Sequence, residues 1–282
     1  MKKGKPGKHA MNEDKEPKSA AGTPLLDALP LNAGVRVLAA DPRGIFALEK
    51  PAGTMTHPNA PGVAAAKRAM LVADYSLKQE CYCVRDAAGA ARKIFVLNRL
   101  DSPTSGVVLC AWDEAVARLA RAAFAGTGVR KTYFALVRGN APAAARWENF
   151  LLRESRGGEL RVRVAPHGKI RGSQFAATAV EKIRGNAAFA LVKLSPETGR
   201  THQLRVQCAA RGMPIVGDRA YGDAAADKRD ADRLADARGR LFLHAAETEI
   251  ALPLRGGTLR FRASSPLPPL FDDALARLLR GA

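Results

Sequence analysis

Apolar and polar positions along this chain change period several times, and each change marks an element. Short apolar runs at Val35–Ala39 and Ile45–Glu49, joined by Asp41-Pro42-Arg43-Gly44, read as two strands around a turn. Lys50-Pro51-Ala52-Gly53 then breaks the second strand. Residues 92–97 and 107–111 read as strands flanking a polar, turn-rich loop. From Asp113 to Phe124 the spacing becomes helical, with Val116, Leu119, Ala120 and Ala123 on one face and Gly126 as a stop. Lys131 to Arg138 returns to a period of two with apolar side chains on both sides, the mark of a strand covered on both faces. Further strands are expected at 160–164, 174–182, 187–194, 246–252 and 258–262. Thr201 is placed to cap a helix running to Arg211, ended by Gly212 and Pro214. Residues 223–240 are charged and Ala-rich, a solvated helix or loop insertion, and Phe271 to Arg280 reads as a C-terminal helix. Many strands with few helices predict an α+β fold around a mixed, mostly antiparallel sheet flanked by helices and loops.

Composition adds a partner class. The chain has 282 residues, 47% of them hydrophobic, enough for a sizeable core. Its formal net charge is +18, from 30 Arg and 15 Lys against 27 acidic residues. The first 24 residues hold six Lys and three acids, so most of the excess lies further on. They lack periodicity and read as a disordered basic arm (1–24) ahead of one folded domain (25–282). A field of this sign captures phosphate polymers, and an Arg-rich one suits bidentate phosphate contacts and stacking on bases. Nothing approaches the ~20 apolar residues of a membrane span, and no apolar segment follows the basic start as in a secretory signal. The four cysteines form no metal-ligand spacing; Cys110 and Cys208 read as core residues, and Cys81-x-Cys83 as a pair on one face of a strand at the surface. A reduced, cytoplasmic protein that binds no membrane is expected.

Two segments carry candidate chemistry. Asn98-Arg99-Leu100-Asp101-Ser102-Pro103-Thr104-Ser105-Gly106 sets a guanidinium and a carboxylate two residues apart at the entrance to a buried strand. Asp101 is an anion at neutral pH, available as nucleophile or base, with Arg99 and Arg205 as candidate partners; Asp before Ser-Pro also starts ordinary turns. Glu197-Thr198-Gly199-Arg200-Thr201-His202-Gln203-Leu204-Arg205-Val206-Gln207 gathers Arg, His, Gln and Thr around one Gly at a helix start, where backbone N–H groups face anions. Arg205 would project one turn along that helix toward Asp101. No metal constellation and no glycine-rich phosphate loop are present in the sequence.

Residues 98–106 resemble the H-R-L-D-x-x-T-S-G motif of the RluA-type pseudouridine synthases. The rest follows in the family's order: Lys50-Pro51-Ala52-Gly53 with His57-Pro58, Lys131-Thr132-Tyr133-Phe134-Ala135-Leu136-Val137-Arg138-Gly139, Thr198 to Val206, Pro214 to Asp218 with Tyr221-Gly222, and Leu243-His244-Ala245. The resemblance spans about residues 35–265. It implies a cofactor-independent and metal-independent isomerase that converts uridine in rRNA or tRNA to pseudouridine. Asp101 matches the carboxylate that carries the chemistry, Arg205 the cation that keeps it ionised, and Tyr133 the aromatic that stacks on the target base. Arg99 matches the Arg that fills the space left by the flipped nucleotide, while Arg200, His202 and Gln203 fall among the substrate-binding positions. A monomer is the family-like expectation.

Two positions depart from the family's pattern: Asn98 and Gln207 stand where His is usual, and both lose the ability to titrate. They motivate a rival reading, an RNA-binding or RNA-folding protein that has kept the scaffold and lost the reaction. About 25 residues between the basic arm and Lys50 are too few for the S4 RNA-binding module that many relatives carry, so RNA capture is expected to rest on the Arg surface of the domain. A third reading, glycoside hydrolysis by Asp101 and Glu197, requires both carboxylates to face one sugar.

Overall fold

In a computed structural model, which describes residues 24–59, 66–156, 159–234, 237 and 239–280, thirteen strands form one sheet. The first half of the chain supplies β1 (Arg36–Asp41), β2 (Ile45–Lys50), β3 (Asp74–Ser76), β4 (Cys81–Arg85), β5 (Ala91–Val96) and β6 (Ser105–Ala111). The second supplies β7 (Val129–Arg138), β8 (Ala144–Arg156), β9 (Glu159–Val164), β10 (Gln174–Gly185), β11 (Phe189–Pro196), β12 (Leu243–Leu254) and β13 (Gly257–Ser264). The spatial order is β3-β4-β5-β6-β12-β7-β11-β10-β8-β9, with β2 also on β6, β1 on β2 and β13 on β12. Every pairing is antiparallel except β6 with β12. The sheet is therefore mixed and mostly antiparallel, as its pattern predicted.

The parallel junction joins the two halves and is short: Ser105 faces His244 and Gly106 faces Ala245. Gly106 has φ +116°, and a Cβ there would lie 2.1 Å from the Ala245 carbonyl oxygen. Only glycine lets the strands approach this closely.

β6 is buried at every position because both its faces are covered. Val107, Leu109 and Ala111 pack with Ile45, Phe95 and helix α2 (Glu114–Ala125), while Val108 and Cys110 pack with Phe46, Tyr82 and Ile94 on the other side. Helix α2 begins at Asp113, whose side chain accepts from the Val116 N–H, and buries Val116, Ala117 and Ala120. A third cluster lies in the second half, where Leu136, Leu191, Leu204, Ile215 and Phe242 meet Phe271 and Leu275 of the C-terminal helix.

Four expectations need correction or completion. The chain helix after Thr201 is Gln203–Ala209 (α3); His202, in the left-handed region at φ +52°, precedes it, and Thr201 does not cap it. The strand β8 escapes the sequence pattern because Trp147 and Leu151 alternate with charged residues, its apolar content being set by β10 and β9 on either side. The 223–240 segment holds Ala224–Arg229 (α4) and Ala231–Leu234 (α5), anchored by buried Ala226 and Leu234 and by Asp227 and Asp230 gripping Arg138. Cys81 is buried rather than at the surface, while Cys83 is exposed. The predicted basic arm lies outside the described residues except for Pro24, which opens a one-turn helix.

Candidate active site

Asp101 sits on the loop between β5 and β6, at the open end of the β6–β12 junction. The segment after β2 holds this loop on both sides of the carboxylate. Thr56 Oγ1 donates to the Leu100 carbonyl at 3.0 Å and accepts the Leu100 N–H at 3.1 Å. Beyond Asp101, the Ser102 carbonyl accepts from the Gly53 N–H at 2.8 Å and from Lys50 Nζ at 2.9 Å. Lys50 is fully buried and also donates to the carbonyls of Pro51 and Thr54. Burial pushes its amine down to about 7, against the attraction of Asp101. The Lys-Pro-Ala-Gly break seen in the sequence is thus the clamp on the Asp101 loop.

Helix α3 brings Arg205 to the same point. Its Nη1 donates to Asp101 Oδ2 at 2.9 Å, and its Nε and Nη2 fork onto the two oxygens of Asp218 at 2.8 and 2.7 Å. The guanidinium lies 5.1 Å from the ring centre of Tyr221. Burial works against the charge on Arg205, but Asp218 and Asp101 outweigh it and hold its pKa above the usual arginine range. Burial likewise opposes ionisation of Asp218, yet Arg205 and the N–H groups of Ala220 and Tyr221 hold that carboxyl below its ordinary value. One arginine therefore bridges a buried carboxylate and a part-exposed one.

Around this pair opens a cleft of about 500 Å³ lined by Arg99, Asp101, Lys131, Tyr133, Arg200 and His202, among others. Tyr133 comes from β7, its phenol pushed up by burial and then by the Asp101 charge. Arg99 is exposed at the mouth. Arg200 is exposed too, with Nε on the Phe175 carbonyl at 2.9 Å. His202 Nε2 is 3.8 Å from Asp101 Oδ2, and its Nδ1 is 2.7 Å from the Tyr221 hydroxyl. That hydroxyl also accepts the Val162 N–H at 3.0 Å, which fixes the ring of His202 beside Asp101. Burial lowers the His202 pKa, keeping the ring neutral, despite the pull of Asp101.

All seven candidate residues from the sequence line this one cleft. Gln203 does so with its amide already engaged: its oxygen accepts from Thr198 Oγ1 and the Arg200 N–H, and its nitrogen donates to Ala177 and Thr178. Of the two unusual positions, Asn98 lines the cleft and Gln207 does not. Asn98 Oδ1 accepts the Leu109 N–H at 2.7 Å, and Gln207, fully buried, bonds Thr178, Trp147 and Asn149. Glu197 is outside the cleft, forked onto Arg146 on the sheet surface, so among the described residues no second carboxylate faces Asp101 across the cleft. Asp218, Tyr221, Lys50 and Lys131 were not assigned roles from the sequence. Their signal was present in the Gly217-Asp218 and Tyr221-Gly222 pairs, whose glycines admit close backbone packing: a Cβ on Gly217 would lie 1.8 Å from the Arg240 carbonyl oxygen. Among the described residues no cluster of metal-ligating side chains occurs, and no helix is long and apolar enough to cross a membrane.

A model of the RNA pseudouridylate synthase family matches residues 44–210, a span that includes Asp101, Tyr133 and Arg205. The chain belongs to that family. Ribosomal large subunit pseudouridine synthase C of Escherichia coli O157:H7 is 34% identical over 239 residues, covering 84% of this chain and 66% of its relative. The protein of the same name from Haemophilus influenzae is 39% identical over 178 residues, 62% of this chain and 52% of the relative. The chain therefore spans between half and two thirds of these curated relatives. Two solved human structures share the fold: RNA pseudouridylate synthase domain containing 4, with a TM-score of 0.60 at 24% identity over 86% of this chain and 92% of that one, and RNA pseudouridylate synthase domain containing 1, with 0.61 at 22% over 88% and 96%.

Proposed function

We propose that this chain isomerises uridine to pseudouridine in ribosomal RNA, with Asp101 as the carboxylate that carries the reaction. The observation behind it is the single cleft in which Asp101 faces Arg205 at 2.9 Å beside Tyr133. The reaction breaks the bond from ribose C1′ to uracil N1, turns the base, and forms a bond from C1′ to C5; the C5 proton leaves and N1 gains one. Product and substrate have the same atoms, so the chemistry requires a positioned base or nucleophile and a held uracil. Arg205 gives Asp101 a charge-assisted hydrogen bond from a guanidinium whose other side is already held by Asp218, which fixes the carboxylate in the cleft. The Tyr133 ring offers a face for the extruded uracil, and Arg99 at the mouth enters the space the nucleotide leaves. Arg200 and His202 line the path of the flanking strand, and Gln203 braces the turn that carries them.

Ribosomal RNA is favoured over tRNA because the similar bacterial proteins carry ribosomal large subunit in their names. A ribosomal RNA substrate supports a cytoplasmic site for the reaction. The reading as an inactive scaffold rested on Asn98 and Gln207; Asn98, at the cleft wall, is held through its amide oxygen by the Leu109 N–H, and Gln207 is buried against Thr178, so neither is a partner in the Asp101–Arg205 hydrogen bond. The test is pseudouridine mapping by carbodiimide modification of total RNA from cells lacking the protein, complemented with wild type or Asp101→Asn. A site restored only by wild type is expected; pseudouridine made by Asp101→Asn would overturn the assignment of Asp101.

A further inference from the structure

Behind the Asp101 loop lies a second cavity, of about 620 Å³, that shares Ser102 and Arg205 with the active-site cleft and is otherwise built from other residues. Its lining includes Arg205, Arg219 and Arg240, with Asp218 as the one acidic residue among the described residues, and Asp218 is already forked onto Arg205. Arg219 is exposed and has no carboxylate partner among the described residues. Its guanidinium lies over Gly239, where a Cβ would be 2.7 Å from Nη2, so the φ +75° glycine leaves the arginine its place. Arg240 donates from Nη2 to Ser105 Oγ at 2.9 Å, and its guanidinium lies 5.7 Å from the Phe271 ring centre. Its Nε is buried with no partner. A buried guanidinium N–H without an acceptor is costly, and the arginine that carries it is part of the cavity lining. Lys50, also without a carboxylate partner, stands close enough for its charge to feel Arg240.

We propose that this cavity is a phosphate subsite, filled by the RNA backbone next to the target uridine. The inference rests on reading the neighbouring cleft as the uridine site. Arginine binds phosphate in a two-pronged fashion, and a tetrahedral anion supplies acceptors to Arg219 and Arg240 together. Ser102 and Arg205 form the wall common to both cavities. A strand that puts its uracil against Tyr133 thus has a cationic hollow one wall away. The backbone is favoured over free phosphate because that wall adjoins the uridine cleft.

Three measurements test it with the full chain. Binding of labelled oligouridylate is followed over a salt series for wild type, Arg219→Ala and Arg240→Gln. Each variant is expected to bind about 3- to 10-fold more weakly, with the slope of log affinity against log salt reduced by about one. Thermal unfolding is then followed with and without inorganic phosphate: wild type is protected, and the Arg219→Ala/Arg240→Gln pair is not. Arg219 is exposed and has no ion-pair partner among the described residues, so Arg219→Ala folds even if the Arg240 change does not. Lost phosphate protection with an unchanged salt slope would show a site for free phosphate and overturn the backbone assignment. Unchanged slope and unchanged protection would overturn the subsite. Pseudouridine formation by wild type on total RNA is scored separately, so that failure of the uridine reading is distinguished from failure of the subsite.

Discussion

Replacing Arg205 with Leu removes the one cation that bridges Asp101 and Asp218. The Arg205 and Asp218 side chains are 8% and 1% exposed, so solvent screens the pair little. Taking one partner from a buried pair costs about 3–5 kcal/mol, because the other charge is left desolvated. In a domain of this size each kcal/mol lowers Tm by about 2–4 °C, so a fall of roughly 6–20 °C is expected at neutral pH. The pH dependence carries the sharper test. In wild type the Asp218 pKa is depressed. Its stabilisation is therefore complete above the unfolded value near ~3.9 and is lost only as pH falls through the lower folded value. Without Arg205, burial is opposed only by the N–H groups of Ala220 and Tyr221. The carboxyl then prefers its protonated form, and Arg205→Leu gains stability as pH drops from neutrality toward 4 while wild type does not. Urea unfolding between pH 4 and 7.5, followed by circular dichroism, reads this directly. A deficit of the same size at both ends would refute the charge argument and assign the loss to packing of the guanidinium over Tyr221.

Three further outcomes follow from the same geometry. Gly106→Ala sets a Cβ against the Ala245 carbonyl at the β6–β12 junction and is expected to cost at least 3 kcal/mol, on the order of a severe overpacking, with insolubility or a collapsed Tm as the readout. The Lys50 pKa is lowered to about 7, so the unfolded chain binds more protons between there and the ordinary lysine value. Wild-type stability therefore rises with pH across that window, and Lys50→Met flattens the rise; a slope kept in the variant would point to Lys131, which burial lowers to about 8. Tyr221→Phe strips the acceptor from the Val162 N–H and the hydroxyl partner from His202, an expected loss of about 1–3 kcal/mol in urea unfolding.

The strands that alternate cleanly or run apolar were legible in the sequence to within a few residues: β2, β6, β7, β10 and β13 all fall where their patterns place them. What the pattern missed has a physical cause. β8 carries Arg146, Glu148 and Glu154 on its outward side, so its thirteen residues read as surface. β3 and β4 are short and separated by polar turns. Thr201 looked like a cap, but the chain turns through a left-handed His202 instead, which aims the ring at Asp101 and Tyr221. Asp101, Arg205 and Tyr133 were legible because each sits in a short motif. Asp218 and Lys50 were quoted within such motifs without a role, since what matters about them is burial and a partner far along the chain. No local pattern encodes either.

Strand β12 has a consequence for how the protein comes to exist. Among the described residues, the half-sheets β1–β6 and β7–β11 are paired strand to strand through it, with β6 on one edge and β7 on the other. As the chain leaves the ribosome, both halves are made before residues 243–254 emerge, and each waits with an open edge. Contacts such as Ser105 with His244 and Glu49 with Ser265 close loops of 139 and 216 residues, the kind of long-range pairing that slows folding. Asp101 belongs to the early half and Arg205 to the late one. Their pairing is a late event of synthesis, and a chain stopped short of β12 carries both residues without the site.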